Sequence, residues 1–359
     1  MPSSRPRISF DNNGICNACN YQISKKKIDW LIREKEFKEI CNKFRSKNDT
    51  YDCIVPWSGG KDSSSIAYKL KYEHNMNPLL VTFSPLIPSE IGTINRELLI
   101  NRGFDNIYFR PNQKVSKYLA KRFFIERGNP KVHWDAGINA LPLNVAIEKN
   151  IKLIFYAEHG ESEYGGKIIN KDSDKIRDLE EVLENQIGDD PSNWVDDYVN
   201  LNDLAPYKYP IENLLKKKDI SAYYFSYFFK WDVYKNYKYV KKNFGFKENS
   251  KRISGTFQNF DSMDDIIDPL YYYMQYIKFG FGRSLRDASR MLQNNHLSRA
   301  EALDFVKKYD GEFPQDEIDK VLNYLECNLI EFNENIDSHR NKEIWTLKGN
   351  KYIKTFEVE

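Results

Sequence analysis

The chain has 359 residues, room for two domains or for one domain with a large appendage. Its 54 Lys and Arg against 52 Asp and Glu leave a formal net charge of +2, which argues against a committed nucleic-acid binder. No run approaches the roughly eighteen apolar residues of a membrane span, residues 1–13 are too polar for a signal peptide, and five cysteines make no disulfide framework.

The expectation is a cytoplasmic protein with no membrane span and no nucleic-acid partner. Twenty-four Tyr and 22 Phe suggest a wet aromatic groove or an interface, that of a homo-oligomer included, although compositional drift explains them equally.

Residues 1–22 are polar and irregular and contain Cys16-Asn17-Ala18-Cys19. A C-x-x-C turn presents two thiolates to one metal and is half of a structural zinc site. No second C-x-x-C follows, so a redox pair or two idle thiols stay open as readings. Residues 28–45 carry Trp30, Leu31, Phe37, Ile40, Cys41 and Phe44 at helical spacing. From Tyr51 short apolar runs alternate with helical patterns. Strands are expected over 53–57, 79–83, 106–110 and 153–156, and helices over 63–72, 90–102, 115–127 and 138–149. That alternation predicts parallel βαβ units, hence an α/β fold with a doubly wound, mostly parallel sheet. Ligands bind beyond the C-terminal strand ends of such a sheet, at its switch point. Ser58, Phe83 and the segment after Tyr156 are therefore expected round one pocket.

Ser58-Gly59-Gly60-Lys61-Asp62-Ser63-Ser64 closes the first strand and opens the first helix. Such a junction makes an anion site, because backbone N–H groups converge and the helix dipole adds positive potential. Gly59 and Gly60 let the backbone approach a phosphate where a Cβ would clash. Ser58, Ser63 and Ser64 add hydroxyl donors, and Asp62 is placed to hold Mg²⁺ against phosphate oxygens. The spacing is neither G-x-x-x-x-G-K-[ST] nor G-x-G-x-x-G. A plain serine-rich helix cap is the bland alternative.

After the fourth strand, residues 157–166 hold Glu158, His159, Glu161, Glu163 and three glycines. Glu158 or Glu161 could bind Mg²⁺ or position a nucleophile, against the alternative of a solvated turn. Residues 130–137 offer His133 and Asp135 to the pocket, although a histidine beside a tryptophan is more often packed. Residues 167–206 are acidic in the middle and read as a mobile insertion or lid. From 207 the pattern is helical. An aromatic run over 221–231 suits a cavity or interface, a tyrosine-rich helix spans 265–281, Ser298 and Glu301 form a capping box for a helix over 297–309, and 344–358 suggests a terminal hairpin. The expected organisation is an N-terminal segment and helix (1–48), an α/β domain that carries the anion-site loop (49–206) and a mainly helical C-terminal domain (207–359).

The loop resembles the PP-loop, S-G-G-x-D-S, of the ATP-pyrophosphatase superfamily, with Lys61 at the variable position. Members of that superfamily cleave ATP between the α- and β-phosphates and adenylate a substrate oxygen. The C-terminal half contains Lys230-Trp231-Asp232, Gly245-Phe246-Lys247, Ile277-Lys278-Phe279-Gly280-Phe281-Gly282-Arg283 and Arg286-Asp287-Ala288-Ser289. Leu297-Ser298-Arg299-Ala300-Glu301-Ala302 and Lys307-Lys308-Tyr309-Asp310-Gly311-Glu312-Phe313-Pro314 follow. Together with the loop these segments resemble the N-acetyl sugar amidotransferase family of lipopolysaccharide and flagellar sugar pathways, over about residues 2–314.

The resemblance implies a Rossmann-like fold and conversion of an acetamido group on a nucleotide-activated sugar to an acetamidino group. ATP activates the amide oxygen and ammonia displaces AMP. It further implies ATP and Mg²⁺ at Ser58, Gly59, Gly60, Lys61, Asp62, Ser63, Ser64 and Phe83, with Asp62, Lys61 and Glu158 in the chemistry. Acceptor contacts are assigned from residue chemistry rather than from the resemblance, to His133, Glu161, Lys278, Arg283 and Arg286; the last three suit a diphosphate or carboxylate, with surface ion pairs to Asp287 and Glu301 as their alternative. Ammonia would come from a separate glutaminase with a barrel-type partner. Relatives carry a further C-x-x-C upstream of a Met-Pro-x-[ST]-x-Pro segment; here that segment is Met1-Pro2-Ser3-Ser4-Arg5-Pro6, so either the sequence starts at an internal methionine or half of the zinc site is lost, Cys16 and Cys19 being the half in view. Two other readings stand beside this one. A tRNA-sulfurating enzyme would need a basic surface and a cysteine at the pocket, and a non-catalytic ATP-binding subunit would bind ATP without turnover.

Overall fold

Five strands form one sheet in the computed structural model, which describes residues 1–47, 50–166, 174–177, 182–349 and 351–357. They are β1 (Cys53–Pro56), β2 (Pro78–Phe83), β3 (Asn106–Phe109), β4 (Leu153–Tyr156) and β5 (Ser221–Tyr224), all parallel, in the order β3-β2-β1-β4-β5. The central strands are apolar apart from Thr82 because both faces are covered. Cys53, Val55, Leu153 and Phe155 face one core, and Ile54, Ile154 and Tyr156 face the other, as strand alternation requires. The fold is α/β, and the order reverses between β1 and β4. That is where a doubly wound sheet opens a crevice.

Among the described residues, the α-helices of eight or more residues before the fifth strand are α1 (Asn17–Ser24), α2 (Trp30–Phe44), α3 (Lys61–Tyr72), α4 (Glu90–Ile100), α5 (Gln113–Arg127) and α6 (Val132–Lys149). Phe37 and Cys41 of α2, with Ile66 and Leu70 of α3, fill the first core; Leu143, Val145 and Ala146 of α6 fill the second. Beyond the sheet come α7 (Val233–Phe244), α8 (Asp268–Phe279), α9 (Arg283–Gln293), α10 (Arg299–Tyr309), α11 (Ile318–Leu325) and α12 (Leu329–Ser338), then the hairpin β6 (Trp345–Lys348) and β7 (Lys351–Lys354). Leu270, Met274 and Ile277 of α8 pack with α11, α12 and Phe124 of α5. The Asp265 carboxylate accepts from the backbone N–H groups of Leu86 and Ile87, both at 2.9 Å, and so ties the C-terminal part to the loop after β2.

Three sequence expectations change. The aromatic run 221–231 opens as a strand: its first four residues are β5, of which Ser221, Ala222 and Tyr223 line a small cavity, while Phe225 and Phe228 pack 5.4 Å from the Phe37 ring. Aromatic residues favour strands, and a strand of four gives too little alternation to read. Next, α6 begins at Val132 rather than 138, so His133, Trp134 and Asp135 are helical; no side chain caps it, and Gly137 and Pro142 break up its pattern. Pro269 at the first turn sets the start of α8 at Asp268, three residues later than expected. The capping box at Ser298 and Glu301 and the terminal hairpin are as read.

Of the expected insertion, residues 167–173 and 178–181 lie outside the described residues. Trp194, Val199 and Leu204 are buried with Phe83 and Phe123, which anchors this end of it in the core rather than as a lid.

Gly137 lets α6 approach β2. A Cβ there would stand 2.4 Å from Cζ of the Phe83 ring, which is itself held by Phe109 and Tyr207. Alanine gains about 1 kcal/mol in helix propensity over glycine. Overpacking a fixed ring costs about 1–3 kcal/mol, and here it wins. Gly137→Ala is expected to lower the urea midpoint; an unchanged midpoint would show that the Phe83 ring can slide.

Candidate active site

The turn between β1 and α3 depends on glycine. Gly59 sits at φ +99°, and Gly60 is the N-cap of α3 with no side chain satisfying the first-turn N–H groups. Those free donors, with the Ser58 and Ser63 hydroxyls, face a cavity of about 660 Å³. Arg96 braces the turn from behind, donating to the Ser58 carbonyl at 3.2 Å and to Thr93 Oγ1 at 2.9 Å. Trp57 Nε1 donates to Ser64 Oγ at 2.8 Å, so Ser64 is buried under the loop and is spent on holding it.

Lys61 is 2 % exposed and bridges two carboxylates, Asp62 Oδ2 at 2.8 Å and Asp261 Oδ1. Burial pulls its pKa down, but Asp261 and Asp62 more than reverse this, and it ends raised. Burial raises the Asp62 pKa, opposed by Lys61 and reinforced by Glu158 and Asp261. Asn236 of α7 donates to Asp62 Oδ1 at 2.9 Å. Lys61 is thus held as a cation between two carboxylates at the helix N-terminus.

The opposite wall comes from residues 261–286, which bring Asp264, Asp268, Tyr271, Tyr272, Lys278 and Arg286 to the cavity. Burial raises the Asp264 pKa, helped by Asp268. Lys131 lies 3.9 Å over the Trp134 ring and pairs with Asp268 and, at 3.7 Å, with Asp265. Asp135, one helical turn on, lines the cavity, and no hydrogen bond or ion pair reaches its carboxylate among the described residues. Burial pushes its pKa up to about 7, with Lys131 opposing and Asp268 adding to the rise. Arg5, Arg7 and Glu161 close the rim, Arg7 gripping Glu161 through Nε at 3.0 Å and Nη2 at 2.9 Å.

The cavity therefore collects Ser58, Gly60, Lys61, Asp62, Ser63, Glu161, Lys278 and Arg286 from the residues expected of it. Six others do not line it: Gly59 makes the turn, Ser64 lies beneath the loop, and four lie elsewhere. Phe83 is buried beneath α6 and does not reach the cavity. His133 is fully buried, shares a hydrogen bond with Ser116 Oγ at 3.1 Å, and is pushed down to about 3 by burial and by Lys131, which leaves it neutral core. Glu158 is taken by Arg290 and Tyr164, each at 2.7 Å. Arg283 is 1 % exposed and held by Asp287 at 3.3 Å, the ion-pair alternative in buried form; Glu301 instead closes its capping box.

Asp261, Asp264, Asp265 and Asp268 were missed. Their i, i+3, i+4, i+7 spacing was the available signal, one acidic stripe just before a helix.

Residues 254–357 match the family model described as LPS biosynthesis protein WbpG-like, C-terminal domain. The match covers the wall from Asp261 to Arg286 and supports a sugar-modifying family of LPS biosynthesis, hence an enzyme, for this part of the chain. No curated protein matches the chain. No helix among the described residues is long and apolar enough to cross a membrane.

Two metals implied by the sequence reading were Zn²⁺ and Mg²⁺. Cys16 and Cys19 hydrogen-bond each other, which pulls the Cys16 thiol down to about 5 and pushes Cys19 up. Among the described residues no group of three or more His, Cys, Asp or Glu is arranged to hold a metal. The pair supplies two of the four ligands of a structural zinc and does not fit one. Asp62 fits a Mg²⁺ carried in on phosphate oxygens, since each carboxylate oxygen accepts one hydrogen bond and keeps a second lone pair.

Proposed function

We propose that this protein is an ATP-dependent, AMP-forming amidotransferase that converts the acetamido group of a nucleotide-activated sugar into an acetamidino group. One observation carries the reading: a single cavity is lined on one side by the β1–α3 loop and on the other by residues of the segment that matches the LPS biosynthesis model.

An amide oxygen is a poor leaving group, and adenylation makes it a good one. The triphosphate meets the free N–H groups of α3 and the Ser58 and Ser63 hydroxyls, with Lys61 adding charge where pyrophosphate departs. Mg²⁺ on the triphosphate, held by Asp62, would neutralise the same developing charge. The acetamido oxygen bonds to the α-phosphorus as the bond to pyrophosphate breaks, and the amide N–H proton passes to Asp135, leaving a neutral O-adenylyl imidate. Ammonia adds to the imidate carbon and AMP leaves, giving the amidine. Ammonia reaches the site from a separate glutaminase with its barrel-type partner.

None of the five cysteines lines the cavity, which counts against thiol-dependent tRNA sulfuration. A non-catalytic subunit would bind ATP without turnover.

The test is to supply ATP, Mg²⁺, ammonium and a nucleotide-linked diacetamido uronic acid. Release of AMP and pyrophosphate with a gain of positive charge on the sugar is expected. ADP and phosphate as the only nucleotide products would sink the reading.

A further inference from the structure

Ser4 Oγ donates to the Phe279 carbonyl at 2.6 Å, fastening the N-terminal segment to the last turn of α8. Arg5 thereby lines the same cavity as Lys278. The Arg5 guanidinium makes no hydrogen bond or ion pair among the described residues, and its Nε is buried without a partner. Glu161, the carboxylate whose charge Arg5 feels most, is gripped by Arg7 through both oxygens.

Among the described residues Lys278 Nζ donates only to the Arg127 carbonyl, at 2.9 Å, and has no carboxylate partner. Burial lowers the pKa of both side chains, for Lys278 with no charged neighbour contributing. The other cations of the cavity are committed: Lys61 to Asp62 and Asp261, Lys131 to Asp268, Arg286 to Asp287 and Asp261.

A partly buried cation without a counter-charge is costly, so two of them on one wall mark a place that a ligand anion completes. We propose that Arg5 and Lys278 form a second oxyanion subsite, separate from the loop, that takes the diphosphate of a nucleoside-diphosphate-linked acceptor. Two uncompensated charges match a dianion better than a single carboxylate. A guanidinium fork with an ammonium beside it also suits neighbouring phosphate oxygens. This inference rests on the reading that the cavity accepts a nucleotide-linked sugar.

Equilibrium binding tests the subsite apart from the reaction. Calorimetric titration of the intact protein with UDP, CDP and GDP is compared with titrations using ATP and using glucuronate. For the diphosphate that binds wild type, Arg5→Ala and Lys278→Ala should each weaken affinity about tenfold or more, the loss of one charge-assisted contact. Arg5→Lys should recover part of it, with ATP affinity within about twofold throughout. Three outcomes overturn the subsite: no diphosphate binds wild type, both variants bind it unchanged, or ATP affinity falls in step. Glucuronate affinity responding where diphosphate affinity does not would overturn the diphosphate assignment. Normal Arg5-dependent binding in a protein that makes no acetamidino product would leave the subsite standing and count against the reaction alone.

Discussion

Gly59→Ala is expected to lower AMP formation on the order of 100-fold, the usual effect of misplacing a reacting group by an ångström. Two independent costs meet at this position. The backbone stands at φ +99°, which L side chains rarely adopt. An added Cβ would lie 2.6 Å from Arg96 Cγ and 3.3 Å from the Gly92 carbonyl. Arg96 cannot step aside freely, since its two terminal nitrogens hold the Ser58 carbonyl and Thr93 Oγ1. The turn must therefore open, and the donors of α3 lose their common focus. AMP release and ATP affinity should fall together, and the urea midpoint should fall by a smaller measure, since strain and clash both raise the energy of the folded turn. The double variant Gly59→Ala/Arg96→Ala removes the clash and keeps the backbone strain, so its recovery divides the two costs. A single variant within about twofold of wild type would mean that the loop does not hold the triphosphate.

How much of this was legible in the sequence depends on what each residue answers to. β1, β2 and β4 follow from apolar runs that only a two-sided core demands, and the loop follows from where Ser58-Gly59-Gly60 stands between strand and helix. β5 does not, because four aromatic-rich residues look like any buried run.

Within the site, helix phase decides. His133 and Asp135 are equivalent as letters two apart, but on α6 two residues turn the side chain by about 200°, so one faces the core and the other the cavity. Arg283 and Arg286, three apart and so on one side of α9, divide by depth instead: the first is buried against Asp287 and only the second reaches the cavity. The wall from Asp261 to Asp268 was hidden for another reason. It is assembled by contacts about 180 residues apart in sequence, such as Asp265 to Leu86, which no local pattern encodes. Arg5 belongs there too, since its place depends on a hydrogen bond between Ser4 and Phe279.

Asp135→Asn should abolish the pH dependence of adenylation and lower its rate about 10²–10⁴-fold, the range for losing a general base. ATP–pyrophosphate exchange with the acceptor present and ammonia absent isolates that half-reaction from the titration of ammonia itself. The groups facing the carboxylate are Lys131 on its own helix, Asp268 and Tyr271 of α8, and Tyr209. Burial and Asp268 outweigh Lys131 and hold its pKa near 7. A base works when ionised, so wild-type exchange should rise with pH through about 7 and then level.

The stability sign runs the other way. A carboxyl whose folded pKa is raised binds its proton more tightly when folded, so it costs stability progressively as pH climbs from the unfolded value through about 7. Asparagine mimics the protonated form and removes that cost. The variant should therefore be no less stable than wild type at pH 8, which separates lost proton transfer from unfolding. An exchange profile without a limb near 7 in wild type, or with the same limb in the variant, would take the proton-accepting role away from Asp135.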